Sequence, residues 1–210
     1  MTSDFPQPIR LEKKQFDAAA HLFGQSFTED PFMCELLPDP SKRANGFATL
    51  SRCVLQFGAI YGEVQVTSPK LEGVAIWIPS EHCELSLWGM VRIGMWRLPF
   101  SLGLRATQIA VAYADYAKHL RMKYMQGRYW YLQLLAVQPE HRGAGHSSVL
   151  LRSMLARMDR EGLACCLDTE NEKNVAMYEH FGFRVLDKGV LPGYNSPIWF
   201  MGRAPNGASL

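Results

Sequence analysis

Residues Tyr129 to Val137 read YWYLQLLAV and run directly into QPEHRGAGHSS, which ends at Ser148. The first part is an almost unbroken run of β-formers, the composition of a central strand buried on both faces. Gln138-Pro139-Glu140 ends it, and His141 to Ser147 is a glycine-bearing turn. From Ser148 onward, Val149, Leu150, Leu151, Met154, Leu155 and Met158 recur at helical spacing until Gly162 stops the helix. Leu163 to Leu167 is another apolar strand. Two strands joined by a helical crossover run parallel, with a right-handed connection.

Toward the C-terminus, Asn174 to His180 predicts a short helix with Gly182 at its end, then a strand from Phe183 to Val190 and a last strand from Pro197 to Met201. Toward the N-terminus, Gln15 to Phe27 reads as a helix that runs into Thr28-Glu29-Asp30-Pro31, a polar break ended by proline. A second helix is expected from Ser41 to Gly58. Tyr61 to Thr67 and Gly73 to Ile78 read as antiparallel strands joined at Ser68-Pro69-Lys70. Glu81 to Met125 is helical in character, broken near Pro99-Phe100-Ser101. Its Trp88, Met90, Trp96, Phe100, Tyr113 and Tyr116 read as core, with the lining of an apolar pocket as the alternative. The expected fold is α+β, a mixed central sheet flanked by helices on both faces. One domain is expected over residues 1–203, with 204–210 as a disordered tail.

The formal net charge is only +2 over 210 residues, so neither a nucleic-acid partner nor a membrane is expected. Lys118, Arg121 and Lys123 read as a solvated helix face, with a binding patch as the alternative. The N-terminal MTSDFPQPIRLEKKQF lacks the apolar region of a secretory signal. Leu85 to Leu104 contains Arg92, Arg97 and Pro99 and falls short of the ~20 uninterrupted apolar residues a span needs. Five cysteines make an odd set with no CxxC and no Cys/His metal spacing, so no metal is expected. Cys165 and Cys166 are neighbours in a strand, point to opposite faces and are poorly placed to bond each other. Packing thiols in a reducing cytoplasm are the reading, with a catalytic thiol as the alternative.

The turn from Arg142 to Ser148 lies between a buried strand and a helix N-terminus. Such a place offers unpaired backbone N–H groups and the positive end of a helix dipole. Gly143 and Gly145 allow close approach and positive φ, Arg142 adds a forked donor and Ser148 a hydroxyl. Together they describe a cradle for a pyrophosphate, although a tight strand-to-helix connection has the same look. No Gly-Lys-Ser/Thr follows, which disfavours a P-loop. A Rossmann turn fits badly so late in the chain. Downstream, Asn174 and Tyr178 stand at i, i+4 on one face of a short helix.

Arg142-x-x-Gly145-x-Ser147 followed by Asn174-x-x-x-Tyr178-x-x-x-Gly182-Phe183 resembles the GNAT family of acyl-CoA N-acyltransferases, most sharply from Tyr129 to Val185. FTEDP (Phe27 to Pro31), GVAIWIP (Gly73 to Pro79), Leu167-Asp168-Thr169 and Asn195 to Arg203 are similar in order and spacing to the branch of puromycin N-acetyltransferase and its relatives. Ser147 departs from that pattern where the family prefers Gly or Ala, and Asp168 where the relatives tend to have Glu.

The resemblance implies a GNAT-like sheet and acetyl-CoA as acyl donor. It implies that the pyrophosphate is held by Arg142, Gly143, Ala144, Gly145, His146, Ser147 and Ser148. Main-chain groups of Leu135, Ala136 and Val137 would polarise the thioester, and Asn174 would bond the cofactor. Tyr178 would protonate the departing thiolate, and the acceptor would be a small-molecule amine. Because the N-terminal helix pair and the middle helices line the acceptor groove in that family, Glu29, Asp30 and His119 are candidates for the base. O-acyl transfer, a longer acyl chain and a non-catalytic CoA sensor are the other readings of the same motifs. A homodimer is compatible with all of them.

Overall fold

The computed structural model describes residues 7–205. Its strands are β1 (Ile9–Arg10), β2 (Glu63–Val66), β3 (Gly73–Pro79), β4 (Tyr129–Val137), β5 (Ala164–Thr169), β6 (Arg184–Val190) and β7 (Pro197–Arg203). They form a seven-stranded sheet in the order β1-β2-β3-β4-β5-β7-β6. Every pair is antiparallel except β4–β5, which is parallel and joined through α7 (His146–Glu161). The β-former run Tyr129–Val137 is β4, at the centre. The fold is the expected α+β arrangement, with a mixed sheet between helices.

Alternation along the strands divides the core into two layers. On one face, Phe23 of α1 (Phe16–Ser26), Met33 of α2 (Pro31–Leu36), Leu55 of α3 (Pro40–Tyr61) and Ile109 of α6 (Leu104–Tyr124) pack with Val74, Ile76, Tyr131, Cys166 and Phe200. On the other, Leu150, Met154 and Met158 of α7 and Tyr178 of α8 (Glu172–His180) pack with Ala75, Trp77, Cys165 and Met201. Each fully buried side chain of the size of Ile76 or Phe200 contributes about 1.5–3 kcal/mol. Cys165 and Cys166 lie in opposite layers and are free thiols. Burial pushes both up, Cys165 to about 12, so neither is a ready thiolate.

Several local expectations change. Pro31 starts a helix instead of ending a break: it occupies the first turn of α2, and the Asp30 side chain accepts from the Phe32 amide at 3.0 Å as its cap. The middle segment breaks at Gly94 and Gly103, giving α4 (Leu87–Arg92), α5 (Leu98–Leu102) and α6, while Pro99 sits in the first turn of α5. Arg121 is not on a solvated face. It is buried, with its guanidinium 4.6 Å from the centre of the Tyr131 ring, whereas Lys118 and Lys123 are solvated and paired with Glu84 and Asp187. Trp88, Trp96 and Phe100 are exposed, not core, while Met90 and Tyr113 meet the alternative and line a cavity. Among the described residues no helix is long and apolar enough to cross a membrane. Residues 206–210 of the expected tail lie outside the described residues.

Candidate active site

The central strands separate at one end. Main-chain pairing of β4 with β5 runs from Tyr129↔Ala164 to Leu132↔Leu167 and stops, although β4 continues to Val137 and β5 to Thr169. On its other side β4 stays paired with β3, but Ile76 and Trp77 face Leu134 and Leu132, so Gln133 is an extra, bulged residue. A bulge bends its strand. The edge of β4 beyond Leu132 therefore offers unpaired main-chain groups to the gap between the two strands.

β4 leads into the turn. Gly143 and Gly145 have φ of 82° and 86°, and a Cβ at either would meet no protein atom within 4 Å. What demands glycine there is the backbone conformation, and what the open space leaves is room for a ligand. Among the described residues, the amides of Gly145, His146, Ser147 and Ser148 at the start of α7 have no backbone acceptor. Arg142 donates to the Ser26 carbonyl at 2.9 Å, and the Ser26 hydroxyl donates to the Val137 carbonyl at 3.2 Å. The end of α1 is thereby stitched to both sides of the turn. These open donors at a helix N-terminus fit a pyrophosphate.

Inside the gap is a cavity of about 360 Å³. Leu135, Asn174, Tyr178, Asp30, Asp168 and Glu170 all line it. Asn174 stands in the first turn of α8, which Asn171 caps through the Lys173 amide, and its side-chain amide donates to Thr169 Oγ1 at 3.4 Å. Tyr178 is buried one helical turn on and packs edge-on against Phe183 at 5.8 Å. Its phenol bonds no protein group among the described residues. Desolvation, with the nearby Glu170 and Asp168 charges, holds that phenol well above its ordinary range, so it keeps its proton at neutral pH.

The floor is acidic. The Tyr113 hydroxyl lies within hydrogen-bonding reach of both Asp168 and Glu170, and Tyr131 donates to Asp168 at 2.5 Å. Desolvation and then the charges of Asp30 and Asp168 raise Glu170 well above its ordinary value, and the Tyr113 hydroxyl acts against that rise. Asp168 is raised by desolvation, against which two tyrosine donors and the Arg121 charge act. Asp30 is pushed up to about 6 by desolvation, opposed by the Phe32 and Met33 amides.

The structure thus brings together Tyr178, Asn174, Asp30 and Leu135, and sets Arg142 to Ser148 at the end of the same strand. Ala136 is packed in the core and Val137 ends β4. Two base candidates stand elsewhere. Glu29 is 87 % exposed and pairs with Arg43 at 3.8 Å, and His119 is on the exposed side of α6. The sequence reading missed Glu170, Tyr131 and Arg121. Glu170 has a signal, a carboxylate directly after an apolar strand. Arg121 has none, because its neighbours Lys118 and Lys123 are indeed solvated.

Residues 91–183 match the family model described as Acetyltransferase (GNAT) family. That span runs from α4 through the open turn to the end of α8. That segment, which holds the open turn and Tyr178, is similar to the GNAT acetyltransferases. An uncharacterized N-acetyltransferase of Schizosaccharomyces pombe is 24% identical over 183 residues, covering 83% of this chain and 72% of that one. Among solved structures, one described as histone acetyltransferase HPA2 and related acetyltransferase, from Corynebacterium glutamicum, superposes with a TM-score of 0.68 at 20% identity, covering 98% of this chain and 99% of that one. Arylalkylamine N-acetyltransferase 2 of Aedes aegypti gives a TM-score of 0.56 at 15% identity, covering 95% and 99%. At such identities the structural likeness establishes the GNAT fold alone. GNAT acetyltransferases use acyl-CoA donors, and the open turn and the unpaired β4 edge of this chain fit one.

Proposed function

We propose that this chain, as one domain over residues 1–203 in the cytoplasm, acetylates an apolar-bodied primary amine, with Tyr178 as acid and Asp30 as base. The observation that carries the reading is that the Tyr178 phenol, which bonds no protein group among the described residues, shares one cavity with Asp30, Glu170 and Leu135 of the free β4 edge. Bound acetyl-CoA supplies an activated acyl carbon and a thiolate leaving group. The amides of Gly145 to Ser148 hold its pyrophosphate, and a main-chain amide in the Leu135 to Val137 stretch polarises the carbonyl. Tyr178 gives its proton to the sulfur as the C–S bond breaks. Asp30, ionised above a pH of about 6, takes one proton from the ammonium to free the attacking lone pair, and the proton that the nitrogen loses as the amide forms restores the Tyr178 phenol.

The walls decide what sort of amine fits. Phe27, Phe32, Phe47, Leu50, Val54 and Phe57 present an apolar surface, while the floor carries the carboxyls. An ammonium is drawn to that floor, and an aromatic or alkyl body fills the remainder. Thiol release from acetyl-CoA in the presence of 2-phenylethylamine, with the N-acetyl product identified by mass, tests the reading. Release with spermidine but not with 2-phenylethylamine would refute the apolar body. No adduct with any primary amine would refute the transfer itself.

A further inference from the structure

Exposed large apolar side chains gather in one segment: Leu87 is 80% exposed, Trp88 83%, Val91 51%, Trp96 55%, Phe100 86% and Leu104 72%. They sit on α4, the 3₁₀ turn Met95–Arg97, α5 and the first residue of α6, consecutive pieces that pack on one another. The other side of the same segment is already used, since Leu85, Met90, Ile93 and Met95 line the cavity. The outward apolar side chains are therefore not a core displaced from its place. Single exposed apolar residues are ordinary, but six large ones on consecutive pieces that pack on one another mark a docking face.

Charge narrows the partner. From Leu85 to Ala114 the chain has no Asp or Glu, and its charged residues are Arg92, Arg97 and Arg105. Arg105 is bound to Glu35 at 2.8 Å. Arg92 and Arg97 make no ion pair among the described residues, and Arg97 lies 5.0 Å from the centre of the Trp96 ring. A partner must therefore be apolar and anionic at once. We infer that this face docks on an anionic lipid surface, with Trp88, Trp96 and Phe100 entering the headgroup layer and Arg92 and Arg97 meeting lipid phosphates. A second copy of the chain fits less well, because an isologous contact would set uncompensated arginines against one another. A nucleic acid would leave Leu87, Val91 and Leu104 with nothing to bury against. The whole-chain charge of +2 is an average and is blind to this segregation. Docking of this kind needs no spanning helix, and it sets the cavity about one helix diameter, ~10 Å, behind the lipid surface.

The test is co-sedimentation of the full chain with vesicles of phosphatidylcholine alone and of phosphatidylcholine with phosphatidylserine, at low and high salt. The chain is expected to pellet with the phosphatidylserine vesicles, less so in high salt, with a blue-shifted tryptophan emission. Arg92→Gln with Arg97→Gln should lower partitioning by ~25-fold, at about fivefold for each arginine. Trp88→Ala with Phe100→Ala should abolish pelleting. Both double variants change exposed side chains only and are expected to melt with the parent, which separates lost docking from lost folding. Failure of the folded parent to pellet with phosphatidylserine vesicles overturns the proposal. So does undiminished pelleting of the Trp88/Phe100 variant, or a dimer in light scattering that this variant dissolves.

Discussion

Tyr131 donates to Asp168 at 2.5 Å across the point where β4 and β5 part company. The last main-chain rung is Leu132↔Leu167, and the next residue of β4 is the bulged Gln133. A side-chain bond therefore stands where the ladder ends, and it holds a carboxyl that desolvation would otherwise leave poorly satisfied. Tyr131→Phe keeps the ring under the Arg121 guanidinium and removes the donor. The expected cost is about 1–3 kcal/mol of stability, the range for stripping a donor from a buried acceptor. Urea melts of the two proteins at pH 7 measure it. A difference near zero would show that Asp168 is satisfied without Tyr131.

Asp30 ties stability and turnover to pH in opposite senses. Its ordinary value of 3.8 is raised to about 6 in the fold, so the folded state prefers the neutral acid. The corresponding stability is fully present below about 3.8 and is lost as pH rises through about 6. Asp168 and Glu170, also raised, act in the same direction. Asp30→Asn, which keeps a capping oxygen, is expected to melt above the parent at pH 8, by at most about 3 kcal/mol, and alongside it at pH 4. Turnover of the parent should climb as pH passes through about 6, and the variant should lose that limb. A variant with the parent's pH–rate profile would remove Asp30 from the chemistry.

Gly145 separates cofactor grip from fold. Its φ of 86° is a conformation that a β-branched residue resists, and a side chain there would project into space that the protein leaves open. Gly145→Val is expected to weaken acetyl-CoA binding at least ~10-fold, about 1.4 kcal/mol, by blocking approach to the amides at the start of α7. Isothermal titration on a variant shown to be folded gives the number. Unchanged affinity would mean that the turn from Arg142 to Ser148 is only a connection.

The readable parts of the chain were those whose information is local. β4, α7, β5 and α8 follow from β-former runs, helical spacing and glycine stops, and each falls within a few residues of its expected limits. α2 was hidden because Pro31 reads equally as a breaker and as a first-turn residue, and only the Asp30 cap decides between them. The site divides in the same way. Asn174 and Tyr178 share a helix face, so their spacing announces them. The acidic floor is assembled from α6, β4 and β5, and no spacing along the chain links Tyr113 to Glu170. Arg121 was misread because helical position alone does not tell which of three nearby cations turns inward.

Tyr178 bears the sharpest test. The ring packs edge-on against Phe183, and its hydroxyl bonds no protein group among the described residues, so Tyr178→Phe removes one oxygen without orphaning a partner. If the residue serves packing alone, the variant should work as the parent does. If its phenol is the acid for the leaving thiolate, kcat should fall by roughly 10²- to 10⁴-fold, the usual contribution of a positioned proton donor. The KM for acetyl-CoA should barely move when chemistry limits the rate, because the lost interaction belongs to the transition state. The raised phenol adds a second signature: because desolvation keeps Tyr178 protonated, the parent should show no alkaline fall in kcat from its ionisation near the ordinary tyrosine value of 10.0. Steady-state kinetics of both proteins from pH 6 to 10.5, with melts confirming equal folding, read both at once. A kcat within about threefold of the parent would make Tyr178 structural and send the search for the proton donor to the tyrosines and carboxyls of the cavity floor.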